Sequence, residues 1–391
     1  MKIQLDRKNL LAAFLLFALC ISFFFPSERV TLMISLVRYF ALIAGVTLLL
    51  VNSRIIEYRN NKLLFGFLPL IYYLYVYLIS WNNQIGYANK NTFSALLQFF
   101  IIIGLFFHLW KRNPQLAYNI LLIVFAILCI WDMIDIFYNP NGSAGIGQWL
   151  FGNKNNHSLY FCLFIYMLFL KCKQNYSLIN KFFLLIFMIL TTVSTVIMGS
   201  STSISSILIV DTAVIIYLYY KSSLHISSYS VLIGALSLNV LVIIGQTDFL
   251  SNIVSLFGKD LTFSERTIAW SRALLLIQKK PIFGWGMIHG TYAKEMIGYS
   301  NAHNQLLDCI VTGGVILLIF FIIILFYLAA NINRIEDNGI KIFNIIFFAA
   351  LLIKMIFEQI AADYLFWILL IIMFCDMSMY HNEKEQTAVY G

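Results

Sequence analysis

Charge is what this chain has least of. Asp, Glu, Lys and Arg make up 11% of its 391 residues, against 61% hydrophobic ones, and the mean hydropathy is +0.84. A soluble domain of this length carries far more charge, so the composition points to a polytopic membrane protein. The apolar runs lack polar–apolar alternation, which excludes a barrel and predicts helices. The six cysteines include no pair in loops facing an oxidising compartment: Cys20, Cys129, Cys162, Cys309 and Cys375 fall in apolar runs and Cys172 in a connector. No disulfide is expected, and no metal-ligand spacing is present. No small-x-small site follows the first apolar run, which therefore reads as an uncleaved first span. An internal repeat is also missing, and the mid-chain connection 171–181 is short, which argues against the commonest two-halved transporter plan.

What is present is a series of about twelve windows long enough to cross the hydrocarbon as helices. They lie near 9–25, 30–51, 63–81, 93–110, 116–138, 158–170, 182–198, 203–220, 226–245, 305–330, 342–358 and 362–380. Basic residues gather on alternate connectors. Lys2, Arg7, Lys8, Arg54, Arg59, Lys62, Lys111, Arg112, Lys171, Lys173, Lys181, Lys221, Arg334, Lys341 and Lys384 fall on one side; the short loops of the other hold only Arg29, Lys90 and Lys154. The positive-inside rule then puts both termini in the cytoplasm and the long segment Gln246–Asn301 outside. The net charge of +8 is topology, not a nucleic-acid surface. Three segments follow: membrane helices one to nine over 1–245, an extracytoplasmic loop over 246–303, and helices ten to twelve with a short tail over 304–391.

The loop concentrates cations and titratable groups: Arg266, Arg272, Lys279, Lys280, His289, Lys294 and His303. Thr262-Phe-Ser-Glu265 has the form of a capping box and predicts a helix from Arg266 to Lys280, ended by Pro281. That helix is amphipathic. It either lies in the headgroup plane with Trp270 at interfacial depth or packs over the bundle with its cations solvated. Gly284-Trp-Gly286 predicts a tight turn or a close backbone approach. His303 suits a general base for a hydroxyl nucleophile, against the plainer reading of an interfacial histidine bonded to a carbonyl. Asn304 orients that ring or caps the next helix. Arg266 offers a rigid fork of donors to a phosphate; a salt bridge to Glu265 or Asp260 is the competing reading. Arg272, roughly 120° further round a helix, need not share that ligand.

Charges inside spans are costly and draw suspicion. Arg38, Asp132, Asp135, Lys354 and Glu358 all fall in the outer half, with Lys354 and Glu358 spaced to neutralise each other. Asp308 is placed to face the bundle interior. Phe151-Gly-Asn-Lys-Asn-Asn156 and Gly199-Ser-Ser-Thr-Ser203 each open a span from outside, where helix N-termini favour anions.

Arg266-x-x-x-Trp270, Pro281-Ile-Phe-Gly284-Trp-Gly286 and His303-Asn304 with Gly314 ten residues past Asn304, in that order, resemble the O-antigen ligase and O-antigen/capsule polymerase family. The Phe-Gly-Asn-Lys-Asn and Ser/Thr-rich stretches look like its motifs too, so the resemblance covers about residues 150–320. It implies an all-α bundle of the GT-C type in the bacterial inner membrane and a glycosyltransferase needing no metal or cofactor. The donor would be a glycan on undecaprenyl diphosphate and the acceptor a sugar hydroxyl, with a flippase and a chain-length regulator as partners. Arg266 would hold the diphosphate and His303 would activate the acceptor. Asn304, Arg272, Trp270, Lys154, Asn155, Ser201 and Thr202 are the further substrate-binding candidates. Two departures stand out: Ser201 where many members carry Arg or Lys, and Leu317 in place of a second glycine. Arg38 or Lys354 are the candidates to replace the missing cation. A polymerase of repeat units is expected, with a ligase to lipid A core or protein as the close alternative. A transporter or flippase using Arg38, Lys354 and Asp135 is the alternative of a different class.

Overall fold

A computed structural model describes residues 7–24, 32–51, 61–85, 88–142, 148–219, 226–244, 263–288, 290–299 and 301–376. In chain order these form α1 (Arg7–Phe24), α2 (Leu32–Val51), α3 (Asn61–Asn82), α4 (Lys90–Arg112), α5 (Pro114–Tyr138), β1 (Gln148–Trp149), β2 (Gly152–Asn153), α6 (His157–Gln174), α7 (Leu178–Ile197), α8 (Ser201–Tyr219), α9 (Ser228–Ile244), α10 (Phe263–Lys279), α11 (Gly290–Met296), α12 (Gln305–Asn333) and α13 (Asn338–Phe357). A last helix, α14, spans Tyr364–Asp376. Among the described residues, α4, α5, α7, α8, α12 and α13 are long and apolar enough to cross a membrane, and α9 and α14 are shorter apolar helices. The chain is thus an all-α, multi-pass membrane protein. Where the residues of the apolar windows are described, they fall mostly on helices.

Local chemistry sets where several helices begin. Asn113, Ser177, Asn304 and Asp337 each accept a hydrogen bond from the amide three residues on: Leu116, Asn180, Leu307 and Ile340. Such caps satisfy donors that the helix itself leaves unpaired, at about 1 kcal/mol each. Pro114 follows the first of them, at a position where its missing N–H costs nothing. Cys172, expected in a connector, lies instead near the end of α6, because that helix continues to Gln174. All six cysteines are buried thiols.

The chain divides into two compact units. The first comprises Met1–Leu70 with Lys90–Ile207, the second Ile71–Asn89 with Leu208–Gly391. In the first, α1 packs on α2, α4 and α5, and α5 on α6 and α7. The hairpin β1–β2, antiparallel with Trp149 opposite Gly152, leads into α6. In the second, α9 packs on α12 and α13, and α10 lies along α12.

The second unit has a break at its centre. Within α12, Gly314 takes φ 67° and ψ −168°, which no helix can accommodate. The carbonyls this frees are used at once: Val311 accepts from the Trp285 amide and Thr312 from the Gly286 amide, both at 2.8 Å, while Pro281 accepts from Val315 at 2.8 Å. The Pro281–Gly286 turn is thereby laid backbone to backbone against the break. A Cβ on Gly314 would sit 1.9 Å from the Ile282 carbonyl oxygen, and one on Gly284 2.6 Å from the Gly313 nitrogen. Leu317 is buried and fills the space beside Gly313.

Candidate active site

Arg266 stands on the first turn of α10. Its own helix holds it in place, through Ala269, Trp270, Ala273 and Leu276, which are spaced to form one buried face. That face packs on Ile288, Ala293, Ile297, Ala302, Leu307, Val311 and Ile356. Trp270 is fully buried in this core. The expectation of Trp270 at interfacial depth, binding substrate, is therefore corrected: four apolar positions at helical spacing turn the indole inward, and α10 packs over the bundle. The helix begins at Phe263 rather than Arg266, and Thr262 of the capping box lies outside the described residues, as do Asp260 and His289.

The partner of Arg266 is Glu358. Nη2 donates to Oε1 at 3.0 Å, and the guanidinium also lies over the Phe357 ring at 5.8 Å. The other oxygen of the same carboxylate, Oε2, is 3.4 Å from Nδ1 of His303. Arg266 and His303 keep 22% and 23% of their side chains exposed, whereas Glu358 keeps 9%. One buried carboxylate thus bridges two partly open groups that are far apart in sequence. Glu358 caps the C-terminal end of α13. Burial pushes its carboxyl up, but the His303 hydrogen bond and the charges of Arg266 and Lys354 outweigh burial and hold it below the ordinary value.

His303 carries a backbone φ of +46°, in the left-handed region that bulky side chains rarely adopt. Its amide donates to the Asn301 side chain at 2.8 Å, and Tyr299 meets its ring edge-on at 6.4 Å. Strain of this kind, on the order of 1 to 3 kcal/mol, persists where the surroundings fix it, commonly at functional sites. Asn304 is fully buried and occupied by the framework: it caps α12 and donates to Asn239 and to the Ile356 carbonyl. A substrate-binding role for Asn304 does not fit that geometry, because its amide hydrogens and oxygen are already taken.

The other candidates in this unit sit differently. Arg272 is exposed, with its guanidinium against Gly298. Lys354 is buried in the last turn of α13, and its carbonyl accepts from the Glu358 amide at 2.9 Å. Its spacing suggested mutual neutralisation with Glu358, a carboxylate that also meets Arg266 and His303. Asp308 is buried, as placed, and accepts from Gln359 at 2.6 Å.

In the first unit the Asn-rich stretch before α6 and the Ser/Thr-rich stretch opening α8 meet each other. Asn155 Oδ1 accepts from Ser200 Oγ at 2.7 Å and from Thr202 Oγ1 at 3.4 Å, and Ser203 Oγ donates to the Lys154 carbonyl at 3.0 Å. The Lys154 and Ser201 side chains are exposed. Beneath the loop lies a pair that sequence reading missed: His157 Nδ1 is 2.6 Å from Asp132 Oδ2, both side chains fully buried, with His157 Nε2 3.3 Å from the Gly152 carbonyl. Asp132 had drawn attention as a charge in a span, but nothing singled out its partner. Arg38 donates to the Ser22 carbonyl.

Among the described residues, no group of three or more His, Cys, Asp or Glu could hold a metal ion. No curated protein matches the chain. A family model does, over roughly a third of the length, and it includes Arg266 and His303 but stops short of Glu358. That model is described as O-antigen ligase and matches residues 182–322, so over that segment the chain is similar to the O-antigen ligase family.

Proposed function

We propose that the protein transfers an undecaprenyl-diphosphate-linked glycan to a sugar hydroxyl on the extracytoplasmic face, without a metal ion, and so polymerises the repeat units of a surface polysaccharide. The observation that carries this reading is the meeting of Arg266 and His303 on the two oxygens of Glu358. With Nδ1–H directed at Glu358, the His303 lone pair sits on Nε2, where it takes the acceptor hydroxyl proton. The hydroxyl oxygen bonds to the anomeric carbon as the bond from that carbon to the diphosphate oxygen breaks. The electron pair leaves with the diphosphate. Arg266 spends one N–H on Glu358 and offers the rest of its fork to the phosphoryl oxygens as their charge grows. The 3.4 Å separation of His303 and Glu358 is long for a hydrogen bond and suits a contact that tightens once the ring is protonated.

Arg272 and Lys354 are proposed as further contacts to the donor. The test is complementation of a deletion strain at matched membrane levels. His303→Ala and Arg266→Ala should each lower polymer output by about a hundredfold or more. Unchanged output from His303→Ala removes the acid–base role and favours transport. Shortened chains in the deletion strain identify a polymerase, and long lipid-linked chains that never reach a final acceptor identify a ligase.

A further inference from the structure

The segment that carries Glu358 is neither helix nor loop tip. Residues 358–363 connect α13 to α14, and three of them are buried: Glu358 is 6% exposed, Ile360 2% and Ala361 0%. Backbone donors so placed need acceptors, since leaving a buried N–H unsatisfied is costly. One side chain supplies them. Gln305, fully buried at the first position of α12, accepts with Oε1 from the amides of Ile360 and Ala361, both at 2.7 Å.

Two neighbours on the same helix turn grip the same stretch. Asn304 donates to the Ile356 carbonyl at 3.0 Å, and Asp308 accepts from Gln359 at 2.6 Å. The start of α12 is therefore fastened to the connector both before and after Glu358. His303 immediately precedes that turn. The spacing between imidazole and carboxylate is set through two covalent steps from Gln305 on one side and two residues from its acceptors on the other.

We propose that Gln305 is a positioning residue: its Oε1 holds the 358–361 stretch so that the Glu358 carboxylate stays between Arg266 and His303. The proposal rests on the reading of that trio as the reacting site. A role confined to satisfying two amides predicts lost stability and an unaltered His303 environment. A positioning role predicts that His303 itself is loosened.

Diethyl pyrocarbonate labelling of His303 in native membranes, read by mass spectrometry, separates the two and does not depend on activity. Gln305→Met keeps length but removes the acceptor. It should label His303 several-fold faster than the unmodified chain, matching Glu358→Ala, and lower polymer output about tenfold or more. Gln305→Glu restores an acceptor for both amides, a setting that favours the carboxylate, and should regain slow labelling and most of the output. Should the methionine variant fail to reach the membrane, Gln305→Asn, too short to span the same gap, is read by the same labelling. Unmodified labelling kinetics in a folded Gln305→Met or Gln305→Asn protein overturns the proposal. If His303→Ala retains full output, the reacting-site reading falls, while the labelling comparison still decides whether Gln305 positions Glu358.

Discussion

Glu358 decides what Arg266 and His303 are. Without it, each is an interfacial base that any membrane protein could carry; with it, they are held on one carboxylate. Replacing Glu358 by Gln keeps the shape but removes the charge, and output should fall by about tenfold or more, because the His303 tautomer is no longer fixed. Equal output from Glu358→Gln and the unmodified chain would falsify the bridging role. The lowered Glu358 carboxyl also sets a direction with pH. Its folded value lies below the unfolded one, so its contribution is full above the ordinary carboxylate range and is lost as pH falls through the lowered value. Thermal stability in detergent should therefore hold down to mildly acidic pH and drop below it, and Glu358→Gln should flatten that drop. Arg272, whose guanidinium lies against Gly298, should on replacement by Ala lower output far less than Arg266→Ala. Comparable losses from the two would remove the distinction. Arg266 and His303 stood out in the sequence by residue type and order. Glu358 did not, because its spacing from Lys354 offered a local partner and nothing in a sequence announces a contact spanning 92 positions.

At the scale of elements, the motifs turn out to be pieces of one seam. Pro281-Ile-Phe-Gly-Trp-Gly and the glycines of α12 are separated by nearly thirty residues, yet their backbones bond directly. A side chain cannot enter between them. Gly284→Ala and Gly314→Ala are each expected to destabilise by on the order of 3 kcal/mol, from a positive φ and a Cβ driven into backbone. Thermal unfolding in detergent checks this, and a shift of less than a degree or two for either variant counts against the seam. Trp270→Ala should cost about 3 to 5 kcal/mol as a buried aromatic, with activity lost in step with folded protein and not beyond it. The helices themselves were readable from apolar runs, and the cap at Asn304 from its place just before one. The inward turn of Trp270 was not, since α10 also shows apolar side chains on its outer face: Ile268 and Leu275 are 48% and 57% exposed. Two apolar faces leave the buried one undecided until the partner surface is known.

For the whole molecule, the segment similar to the family covers residues 182–322, and the acid that meets Arg266 and His303 comes later, from the turn between α13 and α14. A truncation ending with the matched segment should therefore retain Arg266 and His303 and still be inactive. The sidedness of the reading is open to direct measurement. Cysteines placed at the exposed positions Lys294 and Arg334 should react with a membrane-impermeant maleimide from opposite faces, and labelling of both from one face contradicts the topology.

The break at Gly314 bears on how deep that chemistry lies. Taken as one rod, the 29 residues of α12 would reach about 43 Å, well beyond a hydrocarbon layer of about 30 Å. The stretch from Val315 to Asn333 alone comes to about 28 Å, and α13, with 20 residues, to about 30 Å. These two lengths match one bilayer thickness between them. The short upper piece of α12, bearing Gln305, Asp308 and Thr312, is then surplus to the crossing. Its polar side chains need no lipid-facing place, and it is free to serve as a lintel over the membrane's edge, under which a lipid-borne headgroup can arrive while its tail stays in the layer below.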